Sequence, residues 1–181
     1  MKKSILVFLA IASSFYVLTG CNLFGNVDNE EEVITTVDLT FVDSSDVSNT
    51  VKAIFKDTDG SGGNAPTQFD DIRLMPNKTY TLKVGIFDES KSGKKEDIGA
   101  EILKEADDHQ FFFVKNGVNL TVSYLDKDSK NNPLGLQTKW KTGNASQGKV
   151  KITLKHQPNT KDGNIGTGST DVELDWTTKI E

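Results

Sequence analysis

With a single cysteine, Cys21, the chain cannot staple itself with an internal disulfide, so its fold must be held by burial alone even in an oxidising compartment. Positive charge is also short. Once Lys2 and Lys3 are set aside with a leader, nineteen basic residues face twenty-six acidic ones, a net charge of about minus seven. That balance points away from nucleic acid and anionic lipid as partners. Only one long apolar run exists, Ile5 to Leu18, interrupted by Ser13 and Ser14, and it is short for a membrane span. The catalytic signatures that sequence can display are missing as well. No Gly-x-Ser-x-Gly elbow, no His-Glu-x-x-His and no phosphate-cradling loop appears, which points to a non-enzymatic protein.

What is present begins at the N-terminus. Met1-Lys2-Lys3 forms a positive n-region, the apolar run follows, and Leu18-Thr19-Gly20-Cys21 closes it, the order of a secretory leader. Small residues placed directly before a cysteine resemble the bacterial lipoprotein signal, in which the cysteine thiol takes a diacylglycerol and becomes the mature N-terminus. The expected division is therefore a signal peptide over 1–20, an acylated flexible tether over 21–32 and a folded domain over 33–181. Several acyl chains, each CH₂ worth on the order of 0.8 kcal/mol when buried, would hold Cys21 to a membrane almost permanently. The competing reading is an ordinary cleaved leader with an incidental cysteine. Asn22 to Glu32 ends in Asp28-Asn29-Glu30-Glu31-Glu32 and has too little apolar surface to fold.

Past the tether, apolar residues recur with a period of two, the signature of half-buried strands. Val37-Leu39-Phe41, Val51-Ala53-Phe55, Tyr80-Leu82-Val84-Ile86, Leu120-Val122-Tyr124, Val150-Ile152-Leu154 and Val172-Leu174-Trp176 each alternate with polar neighbours. Shorter segments at Asp71–Met75, Gln110–Val114 and Leu136–Thr142 bring the expectation to roughly eight or nine strands. This predicts an all-β fold, an antiparallel β-sandwich. Lys115-Asn116-Gly117-Val118 reads as an Asn-Gly hairpin, and Pro76-Asn77-Lys78 as a tight turn. Ile98, Ile102, Leu103 and Ala106 share one helical face, predicting one short amphipathic helix started by Glu96 and Asp97. Phe111-Phe112-Phe113 must point to both faces of its strand, which predicts burial on both sides.

Three constellations carry candidate chemistry. Asp57, Asp59 and Ser61 place oxygens at alternate positions of a glycine-rich loop, a calcium-like arrangement, although Gln68 stands where an EF-hand would need its bidentate carboxylate. A glycine-rich turn is the simpler account. Asp126-Lys127-Asp128 repeats the pattern with lysines inside it and reads as a turn. His109 and His156, with Asp107 beside the first, would make a zinc or copper site if the fold brought them together; taken singly they read as structural histidines. No cofactor is required by any of these. Trp140, Trp176, Tyr80 and Tyr124 suggest a glycan-stacking surface only if exposed, and otherwise a core.

Three longer strings carry a further resemblance. They are Asp57 to Pro66, Glu105-Ala106-Asp107-Asp108-His109-Gln110-Phe111-Phe112, and His156 to Gly163 leading to Thr170-Asp171-Val172. Together they resemble a family of uncharacterised lipoproteins from Bacteroidetes. That resemblance implies an outer-membrane setting, an immunoglobulin-like sandwich and an accessory role in uptake or attachment, with an outer-membrane transporter or a glycan as partner. It supplies no catalytic residues.

Overall fold

The computed structural model describes residues 32–60 and 62–181. Cys21, the leader, all of the tether but Glu32, and Ser61 lie outside the described residues. The described residues form a two-sheet β-sandwich. Its strands are β1 (Thr36–Asp43), β2 (Asp46–Lys56), β3 (Gln68–Phe69), β4 (Ile72–Leu74), β5 (Thr79–Asp88), β6 (Glu96–Asp97), β7 (His109–Asn116), β8 (Leu120–Tyr124), β9 (Gln137–Thr142), β10 (Ser146–His156) and β11 (Ser169–Ile180), with the helix α1 (Ile98–Lys104) between β6 and β7. The larger sheet runs β3-β2-β1-β5-β9-β8 with β6 added to the end of β5, and the smaller runs β4-β11-β10-β7.

All nine expected strands form. Their alternating apolar residues meet between the sheets, where Leu39, Phe41, Leu82 and Ile86 from one side and Phe111, Val150, Leu154 and Trp176 from the other are buried. Aromatic edges lock the layers together: Phe113 meets Trp140 at 5.9 Å and Phe69 meets Trp176 at 5.0 Å, both edge to face. The two additional strands, β3 and β6, are two residues each and too short to display a period. Among the described residues no helix is long and apolar enough to cross a membrane.

Several expectations need correction. The sandwich is not wholly antiparallel, because β4 lies parallel to β11; the chain leaves the large sheet after β3 and enters the small one with only Asp70 and Asp71 between. Asn116-Gly117 does not make a hairpin. β7 and β8 belong to different sheets, and Gly117, at φ +75°, turns the chain across the sandwich against Gly148, where any side chain would strike the backbone of 116–118. The turn at Asn77, with φ 57°, likewise passes from β4 in one sheet to β5 in the other. β7 is an edge strand, so Phe112 is only half-buried, on the outer face beside its cross-strand partner Thr153. In α1, Asp97 caps the N-terminus by accepting the Ala100 N–H at 3.1 Å. Ile98 and Ile102, one turn apart, reach the core, while Leu103, about 100° further round the helix, stays exposed.

The β1–β2 turn contains a carboxylate that makes the fold acid-sensitive. Asp43 Oδ1 accepts the Ser45 hydroxyl at 2.6 Å and the Ser45 amide at 2.8 Å, while Lys78 Nζ stands 3.1 Å from Oδ2. These donors, the hydroxyl foremost, hold its pKa down from 3.8 to about 2. A depressed folded-state pKa adds stability above the unfolded value and loses it as pH falls through the folded one. The stability gap between wild type and Asp43→Asn should therefore be full above pH 3.8 and close as pH approaches about 2. Urea titrations of both proteins across that window check it, and a gap that stays constant would refute the assignment.

Candidate functional site

β7 begins at His109 and β10 ends at His156, and the antiparallel register pairs these two residues directly. Directly opposed residues project to the same face, so the two imidazoles stack with centroids 4.5 Å apart and planes 4° from parallel. His109 is fully buried and His156 half-buried. The His109 Nδ1 lies 3.1 Å from the Glu105 carbonyl oxygen. A carbonyl only accepts, so Nδ1 is assigned the proton and Nε2 the lone pair. Burial, the largest influence, lowers the His109 pKa and keeps the ring neutral. Its Nε2 is buried without a hydrogen-bond partner, as is the Nδ1 of His156.

Two carboxylates approach the pair. One nitrogen from each histidine and one Glu105 carboxylate oxygen lie within 4.8 Å of one another. Asp171, on β11, places Oδ2 3.9 Å from His109 Nε2, both side chains being essentially inaccessible. Asp107 is not part of the group, contrary to expectation. Its oxygens accept the Ser129 amide at 2.9 Å and hydroxyl at 2.7 Å, so it ties down the 126–133 loop. The chain leaving α1 turns immediately, which carries Asp107 away and leaves Glu105, four residues before His109, beside the ring. That spacing is legible in sequence; Asp171 arrives only through sheet pairing and has no local signal.

The strands are held in place around the pair by neighbouring loops. The Gln157 amide donates to the Asp108 carbonyl at 2.6 Å, and its side-chain amide donates to Asn164 and Thr167 carbonyls. Gly168, at φ +74°, passes so close to the His156 carbonyl that a Cβ would collide with it. Lys161 reaches under the same loop to Asp128, 2.9 Å from Oδ2, and donates to the Ala106 carbonyl at 2.8 Å.

Asp171 also lines a cleft of about 330 Å³ together with Asp57, Gly60 and Phe55. Asp57 and Asp59 are neighbours, as the oxygen-rich loop suggested. Asp59 is occupied by the amide and side chain of Asn64, at 2.9 and 2.6 Å, and these bonds lower its pKa. Burial, then the Asp59 carboxyl, raises that of Asp57. Asp70 and Asp71 are engaged elsewhere, with Ile54 and Gln68 and with Arg73 and Lys179. In the second acidic loop, Asp126 accepts the Gly135 and Gln137 amides and Asp128 those of Lys130 and Asn132, which are turn bonds.

At the opposite end of β7 a larger open groove of about 620 Å³ is lined by Asn77, Lys115, Asn119, Lys141, Thr142 and Asn144, among others. It is framed by the β4–β5 and β7–β8 passages between sheets. Comparison with family models, with characterised proteins and with solved structures finds no match to this chain. The aromatic surface considered for glycans does not form from the expected residues, since Trp140, Trp176 and Tyr80 are fully buried. Tyr124 is half-buried and donates to the Phe111 carbonyl at 2.7 Å.

Proposed function

We propose that this chain is a lipid-anchored, non-enzymatic binding module of the bacterial envelope, tethered through Cys21 and presenting the β-sandwich as an accessory to outer-membrane uptake. The groove between the sheet ends carries the reading. Its volume of about 620 Å³ lies within the range of small-ligand sites, whereas a purely structural or adhesive module needs no concavity there. The groove residues named above are amides, a hydroxyl and two lysines, without a carboxylate, on a protein that is acidic overall. Such a lining suits a ligand rich in oxygen acceptors, handed on to a transporter.

Anchoring and binding are tested separately. Mass spectrometry of the envelope fraction should find Cys21 as the modified N-terminal residue with no peptide upstream, and Cys21→Ser should leave the membrane fraction. A serine variant that stays membrane-bound with normal processing would sink the lipid anchor. Purification of the full chain from detergent-solubilised envelope should bring an outer-membrane transporter with it, and Lys141→Glu should weaken that capture or the retention of bound ligand. Failure to co-purify any transporter, with no ligand bound, would count against the accessory role.

A further inference from the structure

We propose that His109, His156 and Glu105 form a binding site for a divalent zinc or copper ion at the end of the small sheet where β7 starts and β10 stops. The site lies at the opposite end of β7 from the groove and stands independently of it.

The donor set selects the ion. Two imidazoles and a carboxylate suit zinc and copper, while calcium and magnesium require oxygen ligands almost exclusively. The geometry is close to what coordination needs. Three donor atoms already lie within 4.8 Å of one another, and closing to ordinary bond lengths near 2.0–2.1 Å requires about an ångström of contraction. That movement falls on the Glu105 side chain, which is exposed, and on the half-buried His156. The buried His109 is the fixed member.

Its fixing bond is the kind that metal-bound histidines use. A ligand histidine usually donates its second ring N–H to a carbonyl or carboxylate, which sets both tautomer and ring direction. Here the Nδ1–H donates to the Glu105 carbonyl at 3.1 Å, leaving the Nε2 lone pair available. A buried polar atom without a hydrogen-bond partner is costly, and both His109 Nε2 and His156 Nδ1 are in that condition. Stacking of the two rings supplies neither nitrogen with a partner. An ion bonded to both nitrogens, with His156 in the tautomer that leaves Nδ1 bare, removes the cost at once. The Asp171 carboxyl stands 3.9 Å from His109 Nε2, a further oxygen beside the ring.

The arrangement also leaves room for exchange. Glu105 lies on the surface at the end of α1, so the ion would enter from that side and keep a coordination position for water or a further ligand. A site of this type is suited to reversible capture.

The test uses the full chain in detergent, in a Cys21→Ser background so that no thiol contributes, and without a histidine tag. Zinc and copper are titrated in competition with a chelating dye, with calcium as the control ion. Micromolar or tighter binding of zinc or copper, at one ion per chain and with calcium inert, is the expected result. His156→Ala should weaken it on the order of 100-fold, and Glu105→Gln on the order of 10-fold. Both replaced side chains are partly or wholly exposed, so folding is retained, with circular dichroism as the check; His109→Ala is avoided because it hollows the core. The electron paramagnetic resonance spectrum of the copper form should show coupling to two imidazole nitrogens, reduced to one in His156→Ala. Affinity weaker than about millimolar, or affinity and nitrogen coupling unchanged by His156→Ala, would overturn the site. Neither outcome bears on the groove, which none of these variants touches.

Discussion

Replacing Trp140 by alanine is expected to destabilise the domain by about 3–5 kcal/mol, the range for deleting a large buried aromatic. The indole is fully buried at the centre of the sandwich. It stands edge-on to Phe41 at 5.1 Å within its own sheet and to Phe113 at 5.9 Å across the interlayer space. One deletion therefore loosens contacts within a layer and between layers. It also removes the Nε1–H donor to Thr138 Oγ1 at 2.9 Å, leaving a fully buried hydroxyl without that bond. Guanidinium denaturation monitored by circular dichroism measures the effect. Trp140→Phe should recover a substantial part of it, and a loss below about 1 kcal/mol for the alanine variant would show that this core tolerates a void of that size.

The second large effect is electrostatic. Lys161 and Asp128 form an ion pair at 2.9 Å with side chains 2% and 0% exposed. Burial pushes the Asp128 carboxyl up, but the Lys161 ammonium and the Asn132 amide outweigh it and its pKa is lowered. Lys161→Met keeps the apolar stem and removes the ammonium, so the carboxylate stays buried without its counter-charge. Breaking a buried pair from one side costs about 3–5 kcal/mol. The lower end applies here, because Asp128 retains the Lys130 and Asn132 amides. In this variant burial is no longer opposed by the ammonium, so the Asp128 pKa should rise from its lowered position. The deficit should then be full at neutral pH and shrink in acid as the carboxyl takes up a proton. Lys161→Met combined with Asp128→Asn should be clearly milder than Lys161→Met alone, as a double-mutant cycle would record. Additive losses would mean that the two groups do not act as a pair.

These two positions differ in how far the sequence alone exposes them. Trp140 could be placed in a strand, because Leu136–Thr142 reads as extended, but whether it faced core or solvent depended on the strand's neighbours. Lys161 carries no local signal at all: its partner is 33 positions away in a loop that reads as a turn. Strand existence was legible because a period of two is a local property. Sheet membership was not, and the Asn116-Gly117 turn illustrates why. An Asn-Gly pair favours positive φ, which Gly117 adopts, yet positive φ serves a passage between sheets as well as a hairpin. Leu103 misled for another reason, since α1 buries only the narrow stripe of Ile98 and Ile102 and Leu103 lies beside that stripe, facing solvent. At the histidine pair the imidazoles were legible as donors, and the carboxylate grouped with them, Asp107, was the wrong one. Glu105 is brought in by the helical turn before it, and Asp171 by the pairing of β11 with β10.

The placement of β11 has a consequence for how the chain comes to be folded at all. The last strand is not an edge strand: it lies inside the small sheet, with β10 on one side and β4 on the other. Residues 72–74 therefore wait for residues 178–180 before they have any ladder to join, one of the longest sequence separations the molecule contains. A chain emerging N-terminus first can pair β1 with β2 and β5 early, but the layer that would cover their apolar face stays incomplete until β11 is free. Such non-local closure is slow and leaves greasy surface open meanwhile. Residues 169–180 must therefore be free before the sandwich can close, so a chain held up ahead of β11 would present an open, aggregation-prone sheet in place of a smaller folded domain.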